Sequence, residues 1–507
     1  MSICSLIGCV DGNAPSSALQ RVADLDGATS ARFLNDDYFV TQVASSSGES
    51  SVLLRRSADG GVVADLGAMY CRDQFDCLIS AMPGEVDRLV TAESMGVEAA
   101  RRRLSDGAVI RTYHWTNRYG ALFRVSPEGT QFVIGPGVRY DSGEPLSPSN
   151  PSLLLSSEDG TEIASLGNLI WATFSPDGRR LFTRTMTAFE ARDARTGDLV
   201  FRIEDTTPVQ VSQDGGTVAF ESGAIINAHS GEKISQMPQA LEIAEVSPDG
   251  LYVAVREARR AITGPSATEG RYGYEGYAFI WNVRSNSVVK EFDDPLRSMS
   301  FAGGSSRLVS NYCGRRLGSC LLSITDTTTG EDVRRVALGG GFVFNDQRLL
   351  AIRQDDGGNS TVTSFNVLDG QSEYESLASA RLDWGPDPAR ADAEFFPQNS
   401  FVLYTFIPAG GECPTLRADR LGTPSPAWER PCAQEFRAIG DNYVLVSGQN
   451  ERQVLLRVDD RHEIGFIAAP NLRTIAVSPN GSTIIVPCPM NSCPGGATLW
   501  RISEPSN

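Results

Sequence analysis

The sequence predicts an all-β chain of about eleven small antiparallel sheets, each of four strands. Three observations carry that expectation. A turn phrase returns along the chain, as "FSPDG" at 174–178, "VSPDG" at 246–250 and "VSPNG" at 477–481. Each copy lies between short apolar or alternating runs, such as "LEIAEV" at 241–246 and "LYVAVRE" at 251–257. Weaker copies fill the gaps at intervals near the ~40–45 residues of a propeller blade. The expected architecture is a β-propeller.

The turn has its own chemistry. Pro presets φ for the first corner of a type I turn. Asp tolerates the second corner and can hydrogen-bond its own backbone, and Gly accepts the positive φ on the way out. The weaker copies are "FLNDD" (33–37), "AMPGE" (81–85), "VSPEG" (125–129), "VSQDG" (211–215) and "FAGGS" (301–305). Then come "FNDQR" (344–348), "FPQNS" (396–400) and "IGDNY" (439–443). The rest of a unit follows each turn. After "FSPDG" stand "RRLFTRT", "AFEARDA", the turn "RTGD" and "LVFRIE", which reads strand, strand, turn, strand. The segment "SLLLSSEDGTEIASL" (152–166) repeats the later half of that order.

With "AFIWNVRSNSVVKEF" (278–292) and "ATLWRIS" (497–503) beside the Ser-Pro-Asp-Gly turns, the chain resembles the WD40-type and related bacterial β-propellers. The resemblance covers nearly the whole chain and implies that fold. It departs from the family at the Gly-His dipeptide, which is missing. The Trp-Asp dipeptide survives only as Trp281-Asn282 and Trp500-Arg501. The family's partner surfaces are therefore not carried over.

Counting strands predicts how the ends meet. The last unit stops at "GATLWRIS" without an outermost strand, while "ALQRVADLDG" (18–27) is an outer strand and turn without a unit of its own. The two are expected to pair, which removes an exposed sheet edge. About eleven units exceed the four to eight of an ordinary ring. Two rings are expected, one inserted in the other, with a single unusually wide ring as the alternative. Residues 1–17 read as a tether, 18–503 as the propeller region and 504–507 as a tail. The Pro-rich stretch 135–152 is expected to be a loop inside a unit, because "SLLLSS" completes that unit directly afterwards.

Composition narrows the partners. The net charge is −17, and Lys233 and Lys290 are the only lysines. So acidic a chain repels phosphate backbones, which argues against nucleic acid. The triplet Arg101-Arg102-Arg103 fits a solvated strand face. No run of ~20 apolar residues is present to span a bilayer.

Eight of the ten cysteines fall into close pairs: Cys71 with Cys77, Cys313 with Cys320, Cys413 with Cys432, and Cys488 with Cys493. Cysteines flanking a short loop can come within bridging distance, and disulfides persist in exported proteins. Buried free thiols are the alternative. A zinc site is disfavoured, since no Cys-x-x-Cys spacing occurs and only His114, His229 and His462 exist. Leu6-Ile7-Gly8-Cys9 resembles the bacterial lipobox, which implies lipid on Cys9 and a place in the cell envelope. No basic segment precedes it, so a disordered tail on a cytoplasmic protein is the alternative.

Motifs for chemistry are absent: there is no Gly-x-Ser-x-Gly, no His-Glu-x-x-His and no P-loop. The stretch "RQDDGGNST" (353–361) is rich in oxygen donors and leaves room for a weak calcium site, but a hairpin turn is the expected reading. No other cofactor is expected. The segment "ITGPSATEGRYGYEGYAF" (262–279) places Tyr272, Tyr274 and Tyr277 among glycines, the composition of a binding loop. Tyrosines packed on their own blade are the bland alternative. Trp428, between Cys413 and Cys432, is a second contact candidate. The expected function is an exported, non-catalytic binding or scaffold module for a protein or glycan. The alternative is a propeller hydrolase or lyase with an acidic, metal-dependent site at a central channel.

Overall fold

The structure is a computed structural model of the full chain. It describes residues 19–44, 50–68, 78–81, 88–92, 98–114, 121–136, 151–205, 207, 209–238, 240–261, 274–292, 296, 298–313, 320–338, 342–354, 360–378, 380–381, 393–396, 401–408, 413–420, 423, 426–433, 435–447, 452–468, 472, 475–487 and 496–503. Among these there is no α-helix. The strands make eleven antiparallel sheets, ten of four strands and one of five. In chain order the sheets are I (28–68), II (78–114), III (121–167), IV (171–203), V (209–236), VI (240–292), VII (298–338), VIII (342–378), IX (380–431), X (436–468) and XI (476–502). Sheets I to X, sheet IX apart, are simple meanders of four consecutive strands. In sheet IX the inner position is shared by Ala380–Arg381 and Ala393–Phe396, which both pair with Phe401–Pro408.

Sheet XI takes its fourth strand from the other end of the chain. Leu19–Leu25 runs antiparallel to Ala497–Ile502, with Leu19 opposite Ile502 and Ala23 opposite Leu499. The strand missing at one end is thus supplied by the spare strand at the other, as the sequence predicts. The pairing buries Leu25 and Leu499 with Ala28 and Phe39 of sheet I.

All eleven turn phrases fall between the first and second strands of their sheets. In five of them a serine organises the corner. Ser126, Ser175, Ser212, Ser247 and Ser478 are buried. Each carbonyl accepts the N–H of the turn glycine, as at Gly178 to Ser175 (2.9 Å). Each Oγ also accepts the N–H five residues on, at 3.1 Å from Gln131, 2.9 Å from Arg180, Thr217 and Tyr252, and 3.0 Å from Thr483. Ser175 and Ser247 donate their hydroxyl protons to the turn acid, at 2.6 Å to Asp177 and 2.7 Å to Asp249, and Ser478 donates to the Asn480 side-chain carbonyl at 2.9 Å. The glycines sit at positive φ, 69° for both Gly178 and Gly250, where a side chain is strained. The phrase therefore recurs because it stops one strand, reverses the chain and satisfies its own buried polar groups.

The third-to-fourth turns are a second repeated device. Gly60, Gly107, Gly160, Gly197, Gly231, Gly330 and Gly370 each donate an N–H to the carbonyl four residues back. A bulge accompanies each of these hairpins, for example between Ile324 and Thr325.

Among the described residues, apolar clusters join many of the sheets face to face with a sequence neighbour. Phe182 and Phe189 of sheet IV meet Val218 and Phe220 of sheet V. Leu322 and Ile324 of sheet VII meet Leu349 and Phe365 of sheet VIII. Leu445 and Leu455 of sheet X meet Ile484 and Val486 of sheet XI. This explains the apolar middle strands: Thr217–Phe220 is buried at every position because both faces are covered. The outermost strands keep one wet face, as in Lys233–Gln236, where only Ser235 is buried.

Candidate functional site

Antiparallel alternation gives every sheet two unlike edges. One edge carries the first-to-second and third-to-fourth turns, which are short, such as 175–179 and 194–198. The other carries the second-to-third connections and the passages between sheets. Its connections include 137–151, between Pro136 and Ser152, and 262–273, between Ala261 and Tyr274. These are the turn edge and the loop edge. Scaffold loops of this length are where binding residues concentrate.

The turn edge is internally bonded from sheet to sheet. The Asp214 N–H donates to the Pro248 carbonyl at 3.0 Å, and the Asp249 N–H to Ser305 Oγ at 3.3 Å. Gly303 donates to the Asp346 carbonyl at 2.9 Å, and Asn480 to Asp36 at 3.0 Å. Gly440 and Gly481 touch so closely that a Cβ on Gly481 would lie 2.6 Å from the Gly440 Cα. These groups are committed to structure.

On the loop edge between sheets IV and V, described polar groups meet. Thr207 donates its N–H (2.9 Å) and hydroxyl (2.7 Å) to Asp205, and Ser222 donates its hydroxyl to the same carboxylate. Arg184 donates to the Thr207 carbonyl at 3.4 Å. Burial raises the pKa of Glu221 beside this group, with the Arg184 charge acting against it. Met186 stands on the same edge and is 56% exposed. Among the described residues, no cluster of three or more His, Cys, Asp or Glu side chains is placed to hold a metal ion.

Cys413 and Cys432 are bonded, with 4.9 Å between their Cα atoms. They close the hairpin of Thr415–Arg420 and Pro426–Pro431 at its loop-edge end. Cys313 and Cys320 are opposite partners in the ladder of sheet VII. Cys9, Cys71, Cys77, Cys488, Cys493 and Tyr272 lie outside the described residues, as does the centre of the 353–361 stretch. The strands flanking that stretch pair from Arg348 opposite Asn366 to Gln354 opposite Ser360, as a hairpin requires.

Two contact candidates have other placements than a binding loop. Tyr274 and Tyr277 belong to the strand Tyr274–Asn282, paired with Tyr252–Ala261. Tyr277 is buried among Phe279, Trp281 and Val255, with its ring centroid 5.5 Å from that of Phe279. The strand extends into what reads as a glycine-rich loop, with Gly276 opposite Arg259 in the ladder. Trp428 is buried too, and its Nε1–H donates to the Val458 carbonyl of sheet X at 2.7 Å. Its apolar face fills the seam between sheets IX and X. Both rings are thus engaged within the core.

Inter-sheet polar pins escape sequence reading. Asp332 of sheet VII pairs with Lys290 of sheet VI, 42 residues upstream, and accepts from Ser323 (2.7 Å) and Thr325 (2.9 Å). Burial works against its charge, but the hydrogen bonds from Lys290, Ser323 and Thr325 and the Lys290 charge prevail, holding its pKa at about 2. Trp281 Nε1–H donates at 2.8 Å to Ser235 of sheet V. Glu245 of sheet VI accepts the Phe301 N–H of sheet VII at 2.8 Å. The triplet Arg101-Arg102-Arg103 ends a strand, with Arg103 paired to Asp106 at 2.8 Å.

No protein-family model matches this chain. No curated protein matches it either. It is similar to a solved eukaryotic initiation factor, at 13% identity and a TM-score of 0.41, over 72% of this chain and 91% of that one. It is also similar to the dihydro-heme d1 dehydrogenase NirN in complex with DHE, at 12% identity and a TM-score of 0.34, over 70% of this chain and 74% of that one. No helix among the described residues is long and apolar enough to cross a membrane.

Proposed function

We propose that this chain is a non-catalytic binding or scaffold module that meets a protein or glycan partner with its loop edge. The carrying observation is the inequality of the two edges. Turn-edge groups are spent on bonds between neighbouring sheets, while the long connections 137–151 and 262–273 leave from the opposite edge. A rigid stack with loops on one side is the form of a presentation scaffold.

The sheets are proposed to stand in one ring, the wide alternative of the sequence reading. Apolar clusters join sheet III to IV and sheet XI to I. Turn-edge bonds link V to VI, VI to VII and VII to VIII. A second ring would need sheets distant in sequence to pack together. With packed sheets ~10 Å apart, and closer near the axis, eleven of them leave a channel at most about 35 Å across.

Export and lipid on Cys9 complete the proposal. Leu19 stands opposite Ile502 at the turn edge. A tether entering there would hold the turn edge towards a membrane and leave the loop edge free.

Photo-crosslinking tests the assignment of edges. A benzophenone amino acid replaces Met186 or Glu204 on the loop edge, or Glu128 or Asp177 on the turn edge, in the intact chain in its native host. Adducts of one partner from the first two positions are expected. Adducts confined to Glu128 and Asp177 would reverse the assignment.

A further inference from the structure

We propose that Cys313 and Cys320 form a reversible cystine that staples the loop edge of sheet VII, beside a loop the binding proposal leaves open to a partner. The inference rests on register. Arg307–Cys313 and Cys320–Asp326 are antiparallel over seven consecutive pairs without a bulge, and the last pair is Cys313 opposite Cys320. Directly opposed residues in such a ladder have Cα atoms ~4.5–5.5 Å apart. That range lies inside the ~4.4–6.8 Å seen in disulfides. A shift of one residue would have put the two side chains on opposite faces.

Position supplies a second argument. The pair ends its ladder at the loop edge, where residues 314–319 leave the sheet. Cys413 and Cys432, the bonded pair of sheet IX, also close their hairpin at that edge. Two sheets with different hairpins thus place cysteine pairs at the same level. In sheet IX the bridge joins the third strand to the fourth, and in sheet VII it would join the second to the third. The shared feature is the edge, not the place in the repeat.

The chemistry balances with a disulfide oxidant such as oxidised glutathione. The thiolate of one cysteine attacks an oxidant sulfur, forming a mixed disulfide and releasing one glutathione thiolate. The second cysteine then attacks the protein sulfur of that mixed disulfide. The Cys313–Cys320 bond forms and a second glutathione leaves as thiol. Two protein thiols lose two electrons and two protons, and the oxidant gains them.

The bridge is tested on the full chain in glutathione buffers of graded ratio, quenched with acid and alkylated. Trypsin cuts after Arg307, Arg315, Arg316 and Arg334. A bridged protein therefore yields peptide 308–315 joined to peptide 317–334, and reduction separates them. The joined species is expected to rise in one transition and to vanish in Cys313→Ser, where Cys320 becomes alkylatable. Cys413 and Cys432 serve as the internal standard of oxidation. The proposal is overturned if Cys313 and Cys320 are both alkylated under conditions that protect the standard. Glutathione adducts alone, or pairing with a different cysteine, overturn it equally. Circular dichroism of Cys313→Ser/Cys320→Ser checks that the variant folds. Its melting should equal that of the parent under reductant and fall below it only under oxidation. The readout needs no partner, so it stands apart from the test of the binding edge.

Discussion

Truncating Leu25 to alanine perturbs the point where the chain's two ends meet. Leu25 is fully buried in the N-terminal strand, opposite Ala497 and packed with Leu499 and Phe39. Leu→Ala changes at such sites cost about 2–5 kcal/mol, the larger values where the cavity cannot collapse. Taking ~3 kcal/mol, the latch opens roughly a hundredfold more often, since each 1.4 kcal/mol is a factor of about ten. Hydrogen exchange read by mass spectrometry is the assay. Amides of 19–25 and those of 497–502 that face them should accelerate together, while the amides of 497–502 bonded to Thr483–Pro487 stay protected. Leu322→Ala in sheet VII removes the same group from an equally buried place and should leave both segments protected. If Leu25→Ala left exchange at 497–502 unchanged, the latch would not be the element that holds that edge.

Further outcomes follow from the pins and turns. Ser247→Ala should cost about 1–3 kcal/mol, because the buried Tyr252 N–H loses its acceptor; urea unfolding measures it. Reducing Cys413–Cys432, separated by 19 residues, should cost about 3 kcal/mol in the loop-entropy model, read as faster exchange in 415–431. Lys290→Met should destabilise by about 1 kcal/mol at pH 7, a part of what depresses the Asp332 pKa to about 2, since Ser323 and Thr325 still donate to it. Because that pKa is depressed, the contribution is complete above the ordinary carboxylate pKa and fades as pH falls through about 2. The gap between parent and variant should therefore close in acid, and a constant gap would contradict the pairing.

The fold was legible because its punctuation is local. Pro, Asp and Gly in "SPDG" act within five residues, so eleven turns could be read without tertiary knowledge. The serine's part was hidden, since its two hydrogen bonds depend on burial of the corner. Strand counting also worked: the unit ending at Ile502 lacks a strand that 18–27 can supply. The weak Trp-Asp signature has a physical account. At that place in the third strand Asp193, Asp326 and Asn366 accept N–H groups of their own turns. Arg56, Arg103 and Arg457 instead pair with an Asp three residues on. Two chemistries secure one turn, so the sequence varies while the geometry does not. Contact residues were the least legible. Tyr277 and Trp428 have the composition of a paratope, but only packing decides whether an aromatic faces a neighbour sheet or water. Lys290 and Asp332 carried no sequence signal, because nothing local links residues 42 positions apart.

Single-particle electron microscopy of the purified chain tests the arrangement of the sheets most directly. Class averages viewed down the axis should show one annulus with eleven spokes around an open centre. Two smaller discs joined side by side would contradict the proposed single ring.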